Sequence, residues 1–505
     1  MKIIFVHCGR EHLGIEYLSA VLKANGHETA LAFDPGLFSK EDNVFSSLAL
    51  EKFFSRKKSV IEAIIDYNAD LVVFSVYTTT YQWALDIAKK IRNKIKGKIV
   101  FGGIHATLMP EEVIKNDVVD FVVVGEGEYP LLELAANLAK GSFVRDIRNI
   151  WLKENGSIVR NSMREPIQDL DLLPLPDKDL FAKHVRFKDD YMILTSRGCP
   201  FSCSYCCESF LNGIYQNKYF RRRSIHSVLN ELRTMKKRYN FKEVMFFDSI
   251  LFTDKIWLQD LLAGFKKEID VPFRCTGHVA CFDEEIANML KEGGCYCIDF
   301  GVQSFNQELR NNLLNRNETN SCIDKAFYLC DKIKMRYDID IMFGLPGERE
   351  EDFINAVGVF LKHSFINRVK CYNLSYYPGL SIMEKAYKNN ILNNDDIKRI
   401  NSGLINDWFH SDFLKNKEAK RMNLNFRNLF KIVALLPHWI TGKIIKNKTY
   451  RIFYLMPQFL VMIFQCLGGI LHKDYRFSIY FNNYLKHFMN LFFNKRRFSY
   501  NENKA

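Results

Sequence analysis

Three of the chain's cysteines are spaced to hold iron. Cys199, Cys203 and Cys206 stand in Arg197-Gly198-Cys199-Pro200-Phe201-Ser202-Cys203-Ser204-Tyr205-Cys206-Cys207. Gaps of three and then two residues wrap three thiolates around one cubane on a tight loop. Three ligands leave the fourth iron open, whereas a closed electron-transfer cluster takes four cysteines. Zinc wants four nitrogen or sulfur ligands, usually in paired spacings, and no second pair stands at a suitable distance. Cys207, adjacent to Cys206, is an alternative third thiol. Cys295 and Cys297 are too sparse for a second cluster and read as buried thiols beside a strand.

A loop of this kind needs a rigid strand behind it. Met192–Thr195 is β-rich, and similar runs recur at Val244–Phe247, Phe273–Thr276, Ile298–Gly301, Ile339–Phe343 and Lys370–Leu374. Helical stretches such as Ile225–Tyr239 and Glu284–Glu292 separate them. Repeats of this form predict a partial (β/α)6 barrel over residues 188–390, with chemistry at the carboxyl ends of its strands. Residues 1–140 alternate in the same way. Strands are expected at Lys2–His7, Leu71–Ser75, Lys98–Phe101 and Asp120–Val124, and helices at Ile15–Asn25, Tyr81–Lys96 and Tyr129–Ala139. That order implies a second parallel α/β sheet, whose ligand would lie beyond the strand ends near the switch point. The loops Gly9–Gly14, Ser75–Thr80 and Gly102–Thr107 stand there. Residues 141–187, with Leu173-Pro174-Leu175-Pro176, read as an extended connector.

Residues 391–505 read as a mostly α-helical region of different character. Between 411 and 505 there are 17 Lys/Arg against 4 Asp/Glu, an excess that equals the whole net charge of +13. Ile452–Leu471 carries no charged residue for twenty positions, long enough to span a bilayer. Pro457, the pair Gly468-Gly469 and cations on both sides, Arg451 and Lys473, favour an interfacial or buried segment instead. Runs such as Phe459-Leu460-Val461-Met462-Ile463-Phe464 are too apolar for a wet nucleic-acid groove and suit the headgroup boundary of an anionic membrane. At the start, Ile3–Val6 is too short for a secretory core, and 13 scattered cysteines make no disulfide framework. The expected location is the cytoplasm, with peripheral contact on the inner face of the membrane.

The pattern of Cys199, Cys203, Tyr205 and Cys206 resembles the radical SAM superfamily. There the open iron binds the amino and carboxylate groups of S-adenosylmethionine, and one electron cleaves it to methionine and a 5′-deoxyadenosyl radical. The resemblance places Asp248, Gln303, Ser304, Arg316 and Gly344 with Tyr205 as S-adenosylmethionine contacts. The plainer readings are a turn residue for Asp248, a surface arginine for Arg316 and a strand-to-helix turn for Gly344. Gly102-Gly103-Ile104-His105-Ala106-Thr107, then Val122–Glu128, then the Leu-Pro-Leu-Pro strap resemble the cobalamin-binding radical SAM family, which includes the anaerobic ring cyclase of chlorophyll synthesis and many methylases. This implies a Rossmann-like, flavodoxin-like doubly wound domain over 1–140 that binds cobalamin through Gly14, Ser75, Tyr77, Gly102, Gly103, His105 and Glu126. For His105, capping the following helix is the alternative. The Asp-x-His-x-x-Gly pattern of proteins that ligate cobalt from below is missing. Glu11, not histidine, stands three before Gly14, so His12 is not expected to be a ligand. The implied cofactors are a 4Fe-4S cluster, S-adenosylmethionine and cobalamin. The implied partners are a small or lipid-like substrate and an external electron donor of flavodoxin or ferredoxin type, and the implied reaction is methylation of an unactivated carbon. Radical cyclisation or rearrangement, and a scaffold or sensor with a degenerate cobalamin domain, are the alternatives.

Overall fold

The computed structural model describes residues 1–39, 47–142, 144–405, 413–414, 416–472 and 474–493. Strands β1 (Lys2–Cys8), β2 (Glu28–Asp34), β3 (Leu71–Ser75), β4 (Lys98–Gly102) and β5 (Phe121–Val123) form a parallel sheet in the order 2-1-3-4-5. This is the flavodoxin-like order, whose switch point lies between β1 and β3. Both faces are covered, so the strands are near-continuous apolar runs: Ile3–Val6 and Leu71–Phe74 are buried throughout.

Two elements in this half lie outside the expected pattern. Edge strand β2 alternates weakly, as Glu-Thr-Ala-Leu-Ala-Phe-Asp, and its first four residues are only partly covered. Within the expected connector, β6 (Ile150–Glu154) and β7 (Ser157–Arg160) form an antiparallel hairpin that extends the sheet beyond β5. The first sheet therefore continues to Arg160, past the expected boundary at 140. The strap that follows is pinned by charge. Buried Lys178 pairs with Glu11 and with Glu16 (2.9 Å), and donates to the carbonyl of Met192 at 2.9 Å.

The second sheet is parallel throughout. It comprises β8 (Tyr191–Ile193), β11 (Val244–Phe246), β12 (Phe273–Gly277), β13 (Cys295–Gln303), β14 (Arg336–Phe343) and β15 (Ile366–Asn373) in spatial sequence, an open six-stranded barrel. The short pair β9 (Ser196–Arg197) and β10 (Arg221–Arg222) hangs from its first strand. Helices begin where capping side chains dictate: Ser224, Asp254, Asp283 and Thr319 each accept a bond from a backbone N–H of the first turn. Ile298, Phe300 and Val302 on β13 pack outward against these helices, while Cys297 and Asp299 alternate to the other face.

Part of the region beyond 390 belongs to this core. Helix Lys417–Val433 buries Phe426, Leu429 and Phe430 against Phe353 and Phe343, with ring centroids 4.9–5.5 Å apart. Phenylalanine is abundant partly because this helix and its neighbours seal the barrel with stacked rings. Arg476, at the start of helix Tyr475–Phe493, reaches the barrel floor. It is 1% exposed and pairs with Asp338 (2.7 Å), Asp474 (2.7 Å) and Asp299 (3.4 Å). The expected boundary at 390 thus cuts through one packed body.

Candidate functional site

The cysteine loop leaves the carboxyl end of β8 through β9, as a rim site on a barrel should. Gly198 is required there: its φ is +90°, and a Cβ would come within 2.5 Å of the Tyr219 carbonyl. Cys203 is buried, and Cys199, Cys206 and Cys207 are half-buried. Burial pushes the Cys199 thiol up to about 12 and also raises Cys203. A hydrogen bond from Cys207 holds the Cys206 thiol below its ordinary value, while the same contact pushes Cys207 well up. The shared hydrogen bond favours one thiolate in the pair, and the Cys-x3-Cys-x2-Cys spacing makes Cys206 the third ligand.

Arg316 stands behind this loop. Its Nη1 donates to Cys203 Sγ at 3.8 Å and to the Tyr205 hydroxyl at 3.2 Å, its Nε pairs with Glu318 at 2.6 Å, and its Nη2 donates to the Gly301 carbonyl at 2.5 Å. Phe201 stacks on His278 at 4.0 Å, and His278 lies 2.9 Å from Arg316. Arg316 is therefore not a surface arginine. It is committed to Glu318 and to the cysteine loop, and is not held open for a ligand carboxylate.

The other expected barrel residues sit on neighbouring strand ends. Asp248 follows β11 and is buried. Its Oδ1 accepts from Thr195 N (3.0 Å), Thr195 Oγ1 (3.0 Å) and Ser196 Oγ (2.5 Å), while Oδ2 has no hydrogen-bond partner among the described residues. A buried carboxylate oxygen without a donor fits an incoming ammonium group. Gln303 ends β13 with φ +69°, beside a register shift between Gly301 and Gln303. A non-glycine residue held there is stored strain of the kind found at binding sites. Ser304 accepts from Asn306 N at 3.2 Å. Gly344 has φ +78°, donates to Glu348 at 2.9 Å, and could carry no Cβ without meeting Leu414 at 2.6 Å.

In the first domain, the structure brings together Gly14, Ser75, Tyr77 and Gly103 at the switch point. His12 caps helix Leu13–Ala24: its Nδ1 accepts from Ile15 N at 3.2 Å, and its Nε2 lies 3.4 Å from Ser75 Oγ. With Nδ1 accepting, Nε2 carries the proton, so neither nitrogen offers a lone pair to a metal. Burial lowers its pKa to about 4. The Tyr77 ring lies 5.5 Å from His12 and is half exposed. Gly103 is demanded by the backbone, because a Cβ would meet Val76 N at 2.7 Å; Gly102 could hold a methyl at an ordinary 3.5 Å, so packing does not demand its small size.

Two expected cobalamin contacts lie elsewhere. His105 does not cap the following helix, whose N-cap is Gly103; it is fully buried inside that helix, 4.3 Å from the Tyr81 ring, with Nδ1 3.2 Å from Thr78 Oγ1 and Nε2 without a partner among the described residues. Glu126 points to the barrel. It binds Arg197 (3.0 Å), Arg221 (2.9 Å) and Ile167 N (2.7 Å), and Glu128 binds Arg197 at 2.6 Å. Burial disfavours the Glu126 anion, but Arg197 and Arg221 outweigh it and hold its carboxyl low. Arg197 immediately precedes Gly198-Cys199, so this link ties the cysteine loop to the carboxyl edge of the first sheet. On the same side, Gly403 packs against the Thr78 carbonyl and Tyr81. The strand ends of both sheets therefore face each other. Arg197 was visible in the motif, but nothing local revealed its partners.

A second group of ligand-type atoms, on Cys297, Asp299 and Asp338, lies within 4.8 Å. Arg476 fills it with a guanidinium, so it needs no metal.

Two family models match the chain: the B12 binding domain over residues 10–135 and the radical SAM superfamily over 193–359. An uncharacterised methyltransferase of Pyrococcus horikoshii is 28% identical over 473 residues, covering 91% of this chain and 95% of the relative. The cytidylyl-2-hydroxyethylphosphonate methyltransferase of Streptomyces wedmorensis is 24% identical, covering 60% and 63%. The anaerobic magnesium-protoporphyrin IX monomethyl ester cyclase of Rubrivivax gelatinosus is 23% identical, covering 70% and 64%. The chain thus spans just under two thirds of the last two. Among solved structures, the cobalamin-dependent S-adenosylmethionine radical enzyme OxsB with aqua-cobalamin and S-adenosylmethionine bound superposes with TM-score 0.66 at 15% identity, over 96% of this chain and 75% of OxsB. The radical S-adenosylmethionine methyltransferase TsrM of Kitasatospora setae, with cobalamin and a 4Fe-4S cluster bound, gives 0.62 at 18%, over 77% and 78%. At these identities the structural likeness establishes a shared fold.

Proposed function

Because the chain is a radical SAM enzyme with a B12-binding domain in front of it, we propose that it methylates an unactivated carbon of a small or lipid-like substrate. The observation that carries this reading is the ionic link from Arg197 to Glu126 and Glu128, which sets the cysteine loop against the strand ends of the B12-binding domain. A radical site and a methyl donor must meet at one substrate, and facing strand ends allow it.

Cys199, Cys203 and Cys206 would hold the cluster, and Asp248 and Gln303 would contact S-adenosylmethionine. Gly14, Ser75, Tyr77 and Gly102 would border the corrinoid, without a histidine ligand from His12. When bound, these cofactors supply the electron, the hydrogen abstraction and the methyl group. The protein's own residues position and shield. Arg316 orients the loop through Cys203 and Tyr205, Asp248 ties β8 to β11, and the Glu126 link keeps the two halves in register. An external one-electron donor and an anionic membrane complete the proposed partners.

The test is anaerobic reconstitution with cluster, corrinoid and S-adenosylmethionine carrying a deuterated methyl group. Extracts of cells lacking the enzyme supply the substrate, and products are read by mass spectrometry. A product that gains the labelled methyl supports the reading. A product that loses hydrogen without gaining the label replaces it with ring closure.

A further inference from the structure

The longest uncharged run of the chain folds as a bent pair of helices. Thr449–Leu455 and Gln458–Leu471 meet at 110° across Met456-Pro457. One side of the pair is anchored. The Tyr450 hydroxyl bonds Glu350 at 2.9 Å, Val461 is buried, and a Cβ on Gly468 would meet Leu435 at 2.8 Å. The other side is apolar and open. Leu455, Phe459, Ile463, Leu467 and Leu471 are 65, 52, 46, 48 and 72% exposed. From Phe459 onward they recur every fourth residue, which puts them on one helix face. Soluble proteins seldom leave so continuous an apolar stripe in water.

The border of this stripe is mainly cationic, with Glu350 as an acid that pairs with Arg451 at 3.0 Å. Lys443, Lys446, Lys448 and Arg451 are exposed beside it, and residues 449–471 contain no acid. Trp439 is exposed, with the Lys443 ammonium 5.0 Å from its ring. An indole beside cations suits the headgroup level of a bilayer.

We propose that this face docks on an anionic lipid surface, with Gln458–Leu471 lying in the headgroup plane. The proposal rests on the function proposed above, to which it adds the docking element and its orientation. The exposed lysines Lys443, Lys446 and Lys448 and the lack of any acid within 449–471 favour an anionic lipid surface over a protein groove. Spanning is disfavoured by length: 14 residues cover about 21 Å, short of the roughly 30 Å of hydrocarbon, and the bend turns the preceding helix away.

The experiment is flotation of the full chain with vesicles of phosphatidylcholine alone or mixed with phosphatidylglycerol. The protein should float with the mixed vesicles and bind the neutral ones about tenfold or more weaker. Two triple variants should each lose flotation while still cleaving S-adenosylmethionine: Lys443→Glu with Lys446→Glu and Lys448→Glu, and Phe459→Ser with Ile463→Ser and Leu467→Ser. Solubility with both lipids, or equal binding to both, overturns the proposal, as does carbonate-resistant membrane insertion, which would mean a span. Flotation retained without S-adenosylmethionine cleavage in the unmodified enzyme would strike the functional reading and leave the docking face standing.

Discussion

At the residue scale, the cysteine loop and its supports separate cleanly. Changing Cys199, Cys203 or Cys206 to Ala should abolish cluster binding, read as iron content and the electron paramagnetic resonance signal of the reduced protein. Cys207→Ala should retain both, since the Cys-x3-Cys-x2-Cys spacing ends at Cys206; the reverse outcome would reassign the third ligand. Arg316→Leu removes a cationic donor from Cys203 Sγ. Cationic donors to cluster sulfur raise its potential, so a redox titration should show a lower midpoint in the variant with iron content unchanged. The cysteines were legible because their ligand geometry is local. Arg316 was visible only as a candidate. Glu318 stands only two residues on, but the other partners of Arg316, namely Cys203, Tyr205 and His278, come from the loops after β8 and β12, and no short window of sequence records that meeting.

At the element scale, the barrel strands and most of the first sheet follow from continuous apolar runs, because strands covered on both faces must be apolar throughout. Edge elements escaped for the same reason. Strand β2 and the β6–β7 hairpin are only partly covered, so their composition resembles that of connecting segments. His12 shows how one side chain can serve an element. It caps helix Leu13–Ala24 in its neutral form, with a pKa lowered by burial to about 4. A depressed histidine stabilises the fold fully above its unfolded pKa of about 6.5 and loses that contribution as pH falls toward 4. His12→Asn keeps a capping oxygen and removes the titration. Thermal denaturation of the variant should therefore lose less stability between pH 6.5 and pH 4, by on the order of 2 kcal/mol; an unchanged slope would show that His12 is not protonation-sensitive.

At the scale of the whole molecule, the two sheets and the segments beyond 390 hold one another. Glu126→Gln should loosen the clasp on Arg197 and Arg221, speeding protease cleavage between 160 and 190 while cluster binding persists; cleavage at the original rate would show that the clasp is dispensable. Arg476→Met should cost more. Burial opposes ionisation of Asp338, yet Arg368 and Arg476 hold its carboxyl well below the ordinary range. Removing one partner of a buried ion pair typically costs about 3–5 kcal/mol, read as a lowered denaturant midpoint. The alternation of strand and helix revealed two α/β bodies. It could not reveal that Arg476 closes the second one, since a single arginine in an amphipathic run carries no mark of its destination.

That closure also imposes an order in time. Arg476 follows Asp338 by 138 positions and Asp299 by 177. At ordinary rates of synthesis the acids leave the ribosome roughly ten seconds or more before this last counter-ion. Until Arg476 arrives, Asp338 and Asp299 can pair with Arg368 and Lys370 of β15, but the guanidinium they share is missing, so the floor of the barrel is completed last.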